Sequence, residues 1–250
     1  MKEKPLIIKT CSNDFLEFYS RIQFIGYFDK NKNTKTIDIV QWGNMINDWF
    51  SLLDLINGCD IKIITATDIP ILDNTVSMFH DCKNLESINN IEKWDLSNVK
   101  NITCMFHNCH SFDANLSNWN VSNVKTMFYT FYNCCNFNTD LSNWNVSNVT
   151  NISSMFRGAS SFNSDLSNWN VSNVKTMSFM FFDAGNFNSD ISNWNVSNVT
   201  TMEQMFKGAT NFNIDLSNWN IMNVEYANNM FEGCKNPNVE LLRILKLRDL

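Results

Sequence analysis

No run of apolar residues in the 250-residue chain approaches the 18 or so that a membrane span needs. Membrane insertion is therefore not expected. No Lys/Arg run is present either, and the net charge is −6 with a sequence pI near 5.0. Phosphate binding needs a basic surface to release counterions, so nucleic acid is not an expected partner. The first residues, "MKEKPLIIKTCSNDFLEFYS", hold only the short apolar run Pro5 to Ile8 and no small-residue cleavage pattern, so they do not read as a secretory signal. Glycines number seven and form no phosphate-cradling loop; no G-x-S-x-G turn occurs, and there are three histidines, His80, His107 and His110. These absences leave little to build an enzyme from. The expectation is a non-enzymatic chain without a cofactor.

What the chain does have is self-similarity. "LSNWNVSNV" begins at Leu116, recurs unchanged at Leu141 and Leu166, and recurs with one conservative change at Ile191. Trp94, Trp119, Trp144, Trp169, Trp194 and Trp219 keep a spacing of 25, which marks a repeat array. Each unit reads V-x-x-M-x-x-M-F-x-x-[AC]-x-x-F-N-x-D-L-S-N-W-N-V-S-N. Counted from the opening Val as position 0, apolar residues fall at 0, 3, 6, 7 and 10. That is one stripe of a three-turn helix, with the preceding Ser-Asn as its N-cap. "DLSNWNV" then reads as a short strand. Trp49, Leu52, Leu55, Ile56 and Cys59 fit the same stripe, which starts the array near residue 46.

The expected fold is an α/β solenoid of 25-residue strand-helix units over residues 46–235. Residues 1–45 read as an amino-terminal β cap, a hairpin of "RIQFIGYFD" and "TKTIDIVQW". Residues 236–250 read as a carboxy-terminal capping helix opened by Asn236 and Pro237. Copies stacked about 4.8 Å apart let Asn and Ser pass hydrogen bonds between rungs, which accounts for their uniformity.

Residues 72 to 231, with "MFxxCxxL…WDLSNVxxxxxMFxxAxxFNxDLSNWNVSNV", resemble the BspA-like leucine-rich-repeat family of mycoplasma lipoproteins, other bacterial surface proteins and some large DNA viruses. "GCDIKIITATDIPIL", Gly58 to Leu72, resembles that family's lead-in segment. The resemblance implies a leucine-rich-repeat-like α/β solenoid that adheres to or binds a protein partner, or self-associates, at a cell or particle surface. The alternative is an intracellular interaction scaffold or a virion structural component.

The eight cysteines invite a metal or disulfide reading. Five of them, Cys59, Cys82, Cys109, Cys134 and Cys234, occupy the column filled elsewhere by Ala159, Ala184 and Ala209, so they read as small apolar fillers. Cys104, His107 and His80 remain, and they do not provide an obvious four-ligand zinc site; no metal is expected. Asp140, Asp165, Asp190 and Asp215 form one column suited to capping a turn. For a binding face, positions 5 and 8 of the expected helix point away from the core. Two repeats fill them with aromatic pairs, Tyr129 with Tyr132 and Phe179 with Phe182, and Arg157 lies between. These five are the candidate partner-binding residues. The strand face competes, but its Ser/Asn columns are too uniform to encode much specificity.

Overall fold

The computed structural model describes residues 57–72 and 75–235, residue Leu241, and the backbone of residues 7–9 and 38–41. Within residues 57–235 the 25-residue repeats stack as successive coils joined by hydrogen bonds running from each coil to the next. The most regular rung is one parallel bridge per step, Asn101 to Thr126, Thr126 to Asn151, Asn151 to Thr176, Thr176 to Thr201 and Thr201 to Tyr226. A separate parallel pairing joins β3 (Ile63–Ile64) to β4 (Ser87–Ile88). Before these, β1 (Ile7–Lys9) pairs antiparallel with β2 (Asp38–Gln41). The second segment of the expected hairpin thus supplies a strand, whereas "RIQFIGYFD" lies outside the described residues. So do residues 46–56 and, apart from the buried Leu241, the expected terminal helix.

The strand-helix unit is not what the repeat forms. The described residues of 57–235 contain no α-helix, only a 3-10 turn at Ile91–Lys93, and "DLSNWNV" forms turns in place of a strand. The α/β, leucine-rich-repeat-like reading is therefore overturned. The cause is visible in the backbone. Positions 5 and 9 of each repeat are left-handed, as at Tyr129 (φ 59°) and Asn133 (φ 54°), and a left-handed residue every fourth position cannot continue a right-handed helix. Alternate amides then serve two ladders. Thr130, Tyr132 and Cys134 donate three residues back, to Met127, Tyr129 and Phe131, closing tight turns. Tyr129, Phe131 and Asn133 donate to Ser153, Met155 and Arg157 of the next coil, at 3.2, 2.9 and 2.7 Å. Each of these amides finds a partner, as an interior requires, but half of those partners are on another coil.

The apolar stripe survives the change because turns closed three residues apart bury nearly the same positions as a helix of period 3.6. Val149, Ile152, Met155, Phe156 and Ala159 are all fully buried. Inside, three aromatic columns run along the stack. Phe106, Phe131, Phe156, Phe181 and Phe206 follow one another at 5.7 to 5.8 Å between ring centroids. Phe112, Phe137, Phe162, Phe187 and Phe212 form the second column, and the tryptophans form the third at 6.2 to 6.4 Å. Each aromatic pair of this kind adds about 0.5–1.5 kcal/mol beyond its area burial. Each indole from Trp119 to Trp219 also donates its N–H to a carbonyl of the preceding coil, as Trp169 does to Leu141 at 2.9 Å.

The polar columns bond in the same direction. Asn123, Asn148, Asn173, Asn198 and Asn223 donate Nδ2 to a serine carbonyl one coil back at 2.6 to 2.8 Å. The expected N-cap asparagines are therefore inter-coil staples. Asp95, Asp140, Asp165, Asp190 and Asp215 each accept the amide of the serine two residues on, which is the turn cap the sequence suggests. Those amides hold Asp95, Asp140 and Asp190 below the usual carboxylate range.

Candidate interaction face and a histidine cluster

The left-handed turns at positions 5 and 9 bracket position 8, which aligns His80, His107, Tyr132, Arg157, Phe182 and Lys207 in one column. The column is a continuous stack. The His80 and His107 rings lie face to face at 4.4 Å and 4°, and His107 and Tyr132 at 4.4 Å and 2°. The Arg157 guanidinium takes the next place, 5.5 Å from the Tyr132 ring centre and 4.3 Å from that of Phe182. Lys207 then pairs with Glu232 at 2.8 Å. A planar cation between two rings substitutes for a ring in the stack, each contact contributing about 0.5–1 kcal/mol where exposed.

Position 5 lies beside this column. Tyr129 meets Tyr132 edge-on at 5.2 Å, Phe179 meets Phe182 at 6.1 Å, and Arg157 also approaches Phe179 at 5.2 Å. The structure therefore brings Tyr129, Tyr132, Arg157, Phe179 and Phe182 onto one patch. It does not leave them pointing into solvent: all five are half-buried. Ser154, flanked in its column by Tyr129 and Phe179, is 1% exposed, with Ser153 and Ser178 also buried. Small side chains in one coil lie beneath large ones from the coils on either side. A helical wheel misplaces these positions because it carries no information about the neighbouring coil. Phe128, packed on Tyr129 at 3.9 Å, joins the patch without any signal in the repeat pattern.

The cysteine column behaves as a filler. Cys59, Cys82, Cys109 and Cys134 are buried and none of them is in a disulfide. The thiols of Cys109 and Cys134 donate to Phe79 and Phe106 carbonyls at 2.9 Å. Burial pushes the Cys82, Cys109 and Cys134 thiols well up, which suppresses the thiolate that metal binding or redox chemistry would use.

The histidines are placed differently from the sequence expectation. Cys104 does not join His80 and His107; Asp81 does. One ligand atom from each of His80, Asp81 and His107 lies within 4.8 Å of the others. Asp81, left-handed at φ 61°, accepts from Asn108 Nδ2 at 2.6 Å and contacts His80 Nδ1 at 3.1 Å. His107 is pushed down to about 4, first by burial and then by His80, with Asp81 opposing. It is therefore neutral at physiological pH. The signal for Asp81 is its adjacency to His80, which matters only once a tight turn sets the two side chains together.

Residues 73–184, and again residues 141–243, match the model of a family described as a Mycoplasma protein of unknown function, DUF285. Neither the curated proteins nor the solved structures yield a match.

Proposed function

We propose, from the premise that this chain belongs to the DUF285 family of Mycoplasma proteins of unknown function, that it is a non-enzymatic repeat protein whose work is protein binding or self-association. The BspA-like resemblance of the repeat adds a surface-exposed, adhesive role to this reading. The observation that carries it is the patch of Tyr129, Tyr132, Arg157, Phe179 and Phe182, half-buried side by side on one face of the stack. Aromatic residues around an arginine are the composition of binding hot spots. The ladders between coils hold the patch in place before contact, which lowers the entropy lost on binding.

The test borrows substitutions from the same columns. Gln204 occupies position 5 at φ 50° and Lys207 occupies position 8, so Tyr129→Gln, Phe179→Gln, Tyr132→Lys and Phe182→Lys place residues this backbone already carries. The combined variant keeps the far-UV and tryptophan spectra of the wild type and loses self-association in sedimentation velocity, or loses the proteins that wild type retains from its host. Unchanged assembly and unchanged retention refute the assignment, and the turn face carrying the Ser/Asn columns then becomes the better site.

A further inference from the structure

We propose that His80, Asp81 and His107 form a binding site for one divalent transition-metal ion of the zinc, cobalt or nickel class, which clasps two neighbouring coils together. Three observations carry this. The three ligand atoms already lie within 4.8 Å of one another, on turns from two successive coils. The carboxylate is oriented from outside the cluster by Asn108 Nδ2 at 2.6 Å on Oδ1, leaving Oδ2 toward His80, the kind of support that outer groups give to metal ligands. Finally, His107 Nδ1 is buried and has no hydrogen-bond partner. A buried nitrogen left without a partner costs about 1–3 kcal/mol unless something satisfies it.

The chemistry of the set selects the ion. Two imidazoles and one carboxylate suit zinc and its neighbours, whereas calcium and magnesium require a shell of oxygens. Bond lengths near 2.1 Å place the donor atoms of one such ion about 3–3.5 Å apart, so the cluster must contract. The face-to-face rings at 4.4 Å also keep the two lone pairs from converging as they stand. His80 makes the adjustment. Its side chain is 31% exposed, while His107 is held between His80 and Tyr132. Turning His80 out of the stack would let its nitrogen and His107 Nδ1 face one ion, which would replace the contact between His80 Nδ1 and Asp81. Solvent completes the coordination.

The repeat supplies substitutions that leave the fold in place. Asn108 and Asn133 occupy the Asp81 column with the same left-handed φ, 59° and 54°, and Tyr132 follows His107 in the stack. Asp81→Asn and His107→Tyr therefore remove ligands while keeping native backbone and packing. Cobalt(II) titrated into the full chain is expected to bind once per chain in the micromolar range. Its d–d absorption should lack the thiolate charge-transfer band, and zinc should displace it and raise the thermal midpoint. Each of the two variants should weaken cobalt binding by about tenfold or more, and His110→Ala should leave it unchanged. The proposal is overturned if cobalt up to about 100 µM, well above the micromolar affinity expected, gives no signal that saturates at one ion per chain. It is equally overturned if a thiolate band appears, or if Asp81→Asn and His107→Tyr leave the affinity as it was.

Discussion

Replacing Asn133 with alanine separates the stack of turns from a stack of helices by the sign of its effect. Asn133 sits at position 9 with φ 54°, donates its amide N–H to Arg157 at 2.7 Å, and donates Nδ2 to Asn108 Oδ1 at 2.9 Å. A residue with a β-carbon costs about 1–2 kcal/mol in the left-handed region, a cost that asparagine partly escapes through local bonding of its short amide. Losing the side-chain bond removes about 0.5–1.5 kcal/mol more. Asn133→Ala is therefore expected to destabilise by about 1.5–3 kcal/mol. Asn133→Gly keeps the backbone conformation and loses the ladder bond and some chain entropy, about 1–2 kcal/mol. A helix reverses the preference, because alanine is the best helix former, by up to about 0.7 kcal/mol over asparagine and about 1 kcal/mol over glycine. Urea unfolding followed by tryptophan fluorescence reads the difference, and with a slope near 2 kcal/mol/M a 2 kcal/mol loss moves the midpoint by about 1 M. An alanine variant as stable as wild type, or more so, refutes the account of position 9.

Two further outcomes follow from the same packing. Trp169, 3% exposed between Trp144 and Trp194, is a core residue, so Trp169→Ala should cost about 3–5 kcal/mol in urea unfolding; a loss below about 1 kcal/mol with binding abolished would make it a ligand platform instead. His107 has its folded-state value lowered from 6.5 to about 4. Its neutral burial therefore stabilises the fold above about pH 6.5, and that contribution is lost as pH falls from 6.5 through 4. The thermal midpoint of wild type should drop more between about pH 7 and pH 4.5 than that of His107→Tyr, and equal drops in both proteins would refute the assignment.

The amino-acid sequence by itself determined the repeat length, the buried columns, the filler role of the cysteines and the turn-capping aspartates, because each depends only on which side chain recurs every 25 residues. It also carried an unread sign of the left-handed position 9. Asp81, Asn108, Asn133, Gly158, Asp183, Gly208 and Gly233 are residues that tolerate that region. At Gly158 the requirement is doubled, since φ is 71° and a β-carbon would run into Asn133 Oδ1. Position 5 gave little such sign: Asn229 suits that region, but Tyr129, Phe179 and Gln204 hold positive φ without a residue type suited to it. Helix and turn stack bury the same stripe, so periodicity alone has no means of choosing between them. The choice rests on where the backbone amides go. An amide four residues from its acceptor makes a helix from local sequence, but the amides of Tyr129, Phe131 and Asn133 bond to Ser153, Met155 and Arg157, which are near only when the next coil is already in place. That non-local satisfaction offsets the backbone strain at position 5. It also sets His80 and Asp81 against His107, and spreads Tyr132, Arg157 and Phe182 into a single face.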